Sequence, residues 1–174
     1  MSKKNILNTL SEEHEQLRGL FARMEKTSDA AAKTREALLS KIEHGLIPHA
    51  KWEEAVFYPA FKERADREGL KTHAEAVTEH LVVEEVVIPS VKAAEFGTPQ
   101  FAGRVKVFGE LIDHHATEEE KTMFKMAKIM FSAEELGQLD EQYEQWKSSP
   151  DGLTAVAFAT AESNQLVNNY LSED

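Results

Sequence analysis

The chain has 174 residues, a formal net charge of −11 and no cysteine. The length suits one domain with a buried core and a short appendage. Acidic charge without a basic stripe argues against nucleic acid and anionic membrane surfaces, and the missing cysteine excludes disulfides, zinc–thiolate sites and iron–sulfur clusters, so any metal must be held by nitrogen and oxygen.

The N-terminal run MSKKNILNTLSEEHEQ reaches charged residues too soon for a signal peptide. The most apolar late stretch, LTAVAFATA, is too short to span a bilayer. The expected location is the cytoplasm. Glycine and proline are few, with 8 and 5 copies, and helix formers abound.

Five helices are expected. The first runs from residue 4 or 11 to 27 on the apolar stripe Ile6, Leu10, Leu17, Phe21, Met24. The second covers 30–65, with Leu38, Leu39, Ile42, Leu46, Val56, Phe57 and Phe61 inward and bends at Pro48 and Pro59. The third covers 70–95. The fourth opens on Thr98-Pro99, a cap followed by proline, and reaches Met130. The fifth opens on the capping box Ser132–Glu135 and ends near Ser149. Pro150, Asp151 and Gly152 read as a break, followed by a tail with a short helix near Ala161–Leu171.

The fold class predicted is all-α, an up-down-up-down antiparallel four-helix bundle. It is expected over residues 1–131, with an additional packed helix over 132–149 and a C-terminal tail over 150–174.

The bundle carries an internal repeat. His14 precedes His49 by 35 residues, and His80 precedes His115 by the same interval (49 − 14 = 115 − 80). Glu53 and Glu119 follow the later histidines by four, and HAKWEE echoes in HATEEE. Residues i and i+4 share a helix face. In an antiparallel hairpin, residues equidistant from the turn share a height, so four histidines and two glutamates meet in the interior. Isolated, each would cost on the order of a few kcal/mol. Six such groups are too many for one tetrahedral zinc. They suit two ions, each with two imidazoles, sharing two bridging carboxylates and a bridging water or hydroxide, with one position left open on each. Imidazole with carboxylate favours iron, then manganese, over calcium or magnesium.

Four His-x-x-x-Glu pairs occur: 49/53, 80/84, 114/118 and 115/119. A single such pair is ordinarily a surface interaction; the equal spacing and the echo set the metal reading apart. For Glu84, ligation and an ion pair with Arg18, its mate in the first repeat, both stand open. His114 with Glu118 reads as a solvated pair. His73 lies a heptad from His80, too far to share an ion, and His44 reads as packing or surface. Trp52, Phe57, Tyr58, Leu17, Phe21 and Phe124 read as core.

The order His14, His49-x-x-x-Glu53, His80, His115-x-x-x-Glu119, with EEAVFYPAF after the second histidine, resembles the hemerythrin-like (HHE cation-binding) family over roughly residues 5–135. The resemblance implies a four-helix bundle around a non-haem di-iron centre that binds O2, NO or peroxide. It points to oxidative or nitrosative stress or iron homeostasis, with peroxide or NO oxidoreductase chemistry among the activities. Oxygen carriers of the family show His-x-x-x-His on the third helix and His-x-x-x-x-Asp on the fourth. Here Ala76 and Glu84 flank His80, and Glu119 follows His115 at four. The four-His/two-Glu set is closer to bacterial stress-response and di-iron repair members. Glu-x-x-His, the ferritin pattern, does not occur. The alternative is an iron-responsive regulatory module without turnover, whose C-terminal region meets a protein partner or a second copy.

Overall fold

A computed structural model describes residues 4–172. Met1–Lys3 and Glu173–Asp174, and with them the outer ends of the expected 1–131 and 150–174 segments, lie outside the described residues. Among the described residues there is no strand.

Four antiparallel rods form the bundle. The first is α1 (Ile6–Glu25). The second is α2 (Ala32–Trp52), a π turn at Glu53–Phe57, then α3 (Tyr58–Arg64). The third is α4 (Arg67–Val82), a π turn at Val83–Val87, then α5 (Ile88–Lys92). The fourth is α6 (Pro99–Glu118), a π turn at Glu119–Met123, then α7 (Phe124–Met130). Side-chain caps begin the first, third and fourth rods: Asn5 accepts from the Asn8 amide, Asp66 from Gly69, and Thr98 from Phe101. Each cap satisfies an otherwise orphaned amide and contributes about 1 kcal/mol. At the far end the buried guanidinium of Arg35 ties two loops together. It donates to the Phe96 carbonyl (2.7 Å) and the Thr27 hydroxyl (2.8 Å), with its face on the Phe101 ring.

The two prolines of the second rod, where bends are expected, have different settings. Pro48 sits inside α2, whereas the π turn before Pro59 breaks the α-helical ladder. A wider turn relieves the clash of a proline ring with the carbonyl four residues back. The same device precedes Pro89. It recurs at Glu119–Met123, where the matching residue is Lys125, so proline alone does not cause it.

Two apolar clusters fill the bundle. One gathers Ile6, Leu10, Trp52, Phe57, Phe61 and Met123; the other gathers Leu17, Phe21, Ile42, Val91, Phe101 and Phe108. The expected core residues Trp52, Phe57, Leu17, Phe21 and Phe124 are all buried. The clusters are separated by one layer of buried polar side chains.

Two further helices follow. α8 (Ala133–Ser148) opens on the expected capping box and packs on α1 and α2. Beyond it the sequence reading needs correction: where a tail with a short helix was expected, α9 runs from Pro150 to Ser172. Ser149, Pro150 and Asp151 end α8, as expected, and at once start a new helix. The Ser149 hydroxyl accepts from the Gly152 amide at 2.9 Å, proline holds the first helical position and an aspartate sits in the first turn. α9 lies against α2, α5, α8 and the π turn Val83–Val87. No helix among the described residues is long and apolar enough to cross a membrane.

Candidate metal centre

The polar layer consists of His14 on α1, His49 on α2, His80 on α4 and His115 on α6, with Glu53 and Glu119 each opening a π turn. All six are buried, none more than 7% exposed. The structure therefore brings together every residue that the repeat singled out.

Their geometry is paired. His14 Nε2 stands 3.1 Å from His49 Nε2, and His80 Nε2 stands 3.1 Å from His115 Nε2. Glu53 Oε2 lies 3.5 Å from His49 Nε2 and 3.6 Å from His80 Nε2, between the two pairs. Glu119 Oε2 does the same from the other side, 3.4 Å from His14 and 3.7 Å from His115. Two groups of potential ligand atoms result, His14–His49–Glu53–Glu119 and Glu53–His80–His115.

Each imidazole is also held from behind. Nδ1 of His49 meets Glu13 (2.9 Å), that of His14 meets Glu120 (2.8 Å), that of His80 meets Glu54 (2.9 Å) and that of His115 meets Glu79 (2.7 Å). A carboxylate only accepts, so each Nδ1 carries the proton and each Nε2 presents a lone pair. Two lone pairs facing each other at 3.1 Å repel unless a cation lies between them. Two donors about 2.1 Å from one ion at a right angle stand about 3.0 Å apart, which matches both pairs. In addition, Glu53 Oε1 and Glu119 Oε2 are buried without a hydrogen-bond partner. Facing lone pairs and orphaned carboxylate oxygens are the chemistry of a cation site, and the residues fit one.

The electrostatics of the layer are uneven. Burial, then the neighbouring Glu119, pushes the Glu53 carboxyl well above its ordinary range. Burial works the same way on Glu119, but His115 and His14 outweigh it and hold that carboxyl below its ordinary value. Burial brings His49 down to about 4 and also lowers His80. For His115, burial is outweighed by Glu119 and Glu79, so it is raised.

One site residue escapes the sequence reading. Tyr58, assigned to the core, sends its hydroxyl into the layer, 2.9 Å from Glu119 Oε1, 3.4 Å from Glu53 Oε2 and 3.3 Å from His80 Nε2. Burial, then Glu119 and Glu53, raises its pKa well above the ordinary value, so the hydroxyl keeps its proton. Its counterpart in the repeat is Phe124, whose ring stacks on His14 at 6.0 Å. The four outer glutamates were missed as well, although Glu13-His14 echoes in Glu79-His80 and Glu53-Glu54 in Glu119-Glu120.

Other expectations are corrected. Glu84 does not pair with Arg18. Its carboxylate takes Lys51 Nζ at 2.7 Å, while Arg18 binds Glu15, Asp113 and Glu120. Glu84 belongs to neither ligand group. Exposed His114 faces Glu79 at 3.5 Å and not Glu118. Two expectations hold: His73 stays outside both ligand groups, edge-on against Tyr58, and His44 is at the surface, bonding the Ser40 carbonyl.

A cavity of about 20 Å³ adjoins the four histidines. Its apolar wall, Leu17, Leu46, Val83, Ile88 and Ile112, comes from the second cluster, whereas Tyr58 belongs to the first. The space holds one water-sized molecule.

A family model described as the hemerythrin HHE cation binding domain matches residues 5–127. The crystal structure of a hemerythrin HHE cation binding domain-containing protein from Mycobacterium kansasii superposes with a TM-score of 0.69 at 23% identity, covering 90% of this chain and 99% of that one. At that identity the likeness shows the fold. A curated protein of Nostoc sp. named DNA nickase is 25% identical over 148 residues, 83% of this chain and 39% of that protein. The chain thus spans about two fifths of that relative's length. With the match over residues 5–127 and the buried histidine–glutamate layer, the chain belongs to the hemerythrin HHE cation-binding family.

Proposed function

We propose that this is a non-haem di-iron protein that binds O2, NO or peroxide beside the paired histidines and serves in oxidative or nitrosative stress or iron homeostasis. His14 and His49 would hold one ion, His80 and His115 the other, with Glu53 and Glu119 bridging. The observation that carries the reading is the two Nε2 pairs at 3.1 Å with proton-bearing Nδ1 atoms behind them. Iron prevails over manganese as the assignment because imidazole donors outnumber carboxylates.

When bound, the metal pair would supply redox-active Lewis-acid chemistry beside the histidines. The chain's own residues do the rest. The outer glutamates fix the tautomer and tilt of each imidazole. The apolar cavity wall excludes bulk water and leaves room beside the histidines for one water-sized molecule. Tyr58 Oη holds a proton 2.9 Å from Glu119 Oε1, on the side of the layer that the first cluster lines. It can steady charge that builds on the carboxylate bridge. The nicking activity in the Nostoc protein's name is not part of the proposal, since a chain of net charge −11 is a poor host for a phosphate backbone.

Elemental analysis after expression with ample iron tests the reading. About two irons per chain are expected. His49→Ala and His115→Ala should each lose metal, and His44→Ala should keep it. A folded protein with no metal would end the di-iron assignment.

A further inference from the structure

The outer carboxylates fall into two matched couples, and only one couple is matched in its surroundings. Glu54 and Glu120 each carry a cation: Lys51 Nζ at 2.9 Å and Arg18 Nη1 at 3.1 Å. Glu13 and Glu79 differ. Glu79 serves His115 and faces the exposed ring of His114 at 3.5 Å. Glu13 serves His49 and also receives two donors from α8, the Tyr143 hydroxyl at 2.5 Å and Lys147 Nζ at 2.7 Å. Neither donor belongs to the repeat, and α8 lies beyond the residues that the family model matches.

The α8 contact is firmly built. Asp140, Tyr143 and Lys147 lie on one face of α8. Asp140 accepts from the Thr9 hydroxyl at 2.5 Å, one turn before Glu13 on α1. Tyr143 is 1% exposed, with its ring 4.4 Å from that of Trp52. Glu13 is therefore fixed by three donors on two helices, and through it the tilt of His49 is fixed. A carboxylate that shares its lone pairs among three donors also polarises an imidazole less than one that serves it alone. His49 is thus the more rigid ligand and the less polarised one, and His115 the reverse.

We propose that Tyr143 and Lys147 are positioning residues that act through Glu13 on His49, making the His14–His49 and His80–His115 half-sites unequal in metal affinity. The inference rests on the di-iron reading. Rigid placement of His49 sets the sign, so the His14–His49 half-site is the tighter of the two.

Anaerobic titration of the full-length chain with ferrous iron against a competing chelator tests it, with helical content followed by circular dichroism. Wild type should take up iron in two resolved steps. Tyr143→Phe, which keeps the ring on Trp52, and Lys147→Met should each weaken the tighter step about 10-fold and leave the other in place. Lys147→Arg should restore it. Glu79→Gln should move only the weaker step. Two equal steps in wild type, or variants that move both steps together or neither, would overturn the inference and leave the di-iron reading intact. A wild-type chain that binds no iron would overturn both.

Discussion

Glu53 and Glu119 hold matched places in the repeat yet are displaced in opposite directions, because two carboxylates in one dry layer cannot both ionise cheaply. Without metal, Glu53 is the carboxyl that favours its neutral form. Its folded-state pKa lies above the ordinary 4.5, so the stability it contributes is present below that pH and is lost as pH rises through the folded value. In the metal-free protein, Glu53→Gln should therefore match wild type near pH 4 and gain on it towards pH 7 in thermal unfolding, while losing metal binding. A wild-type chain that stays level with the variant across that range would refute the assignment. At this scale the inner six residues were legible, because equal spacing survives in the sequence. Tyr58 was not. In an α-helix a residue five after Glu53 points about 140° away. The π turn closes on the fifth residue, as the Tyr58 amide to Glu53 carbonyl bond shows, and returns Tyr58 to the site.

Among the elements, the four rods and α8 could be read from apolar stripes and caps, signals that local chemistry writes directly. The π turns could not, since they change the phase of the helix without changing its composition. α9 was misread for another reason: proline after serine both ends one helix and starts the next. The junction between α8 and α9 is tight. A Cβ on Gly152 would overlap the Trp146 carbonyl, backbone that cannot swing aside, and crowd the Trp146 ring. Gly152→Ala should cost about 1–3 kcal/mol locally. Amide protection across α9 should fall about 10-fold or more by hydrogen exchange, with the rods unchanged. Unaltered protection in α9 would show that the junction has slack.

Across the whole molecule, the polar layer divides the core into two apolar clusters, each with its own aromatic contacts, such as Phe57 with Phe61 and Phe21 with Phe108. The bundle is thus expected to stay helical without metal but to be weakest at its middle. Iron at about 1,000 times its dissociation constant adds about 4 kcal/mol, roughly 10 °C in a chain of this size. Chelation should lower the melting temperature by that order while far-ultraviolet dichroism persists, and full unfolding on chelation would contradict the two-cluster core. The wiring of the layer has one more effect. Each hairpin supplies its own histidine pair, but Glu54 of the first steadies His80 of the second, and Glu120 of the second steadies His14 of the first. These crossed contacts tie the two hairpins to each other in one register. A hairpin docked one turn out of register would break both contacts and leave the Nδ1 protons of His80 and His14 without an acceptor, which favours the aligned docking.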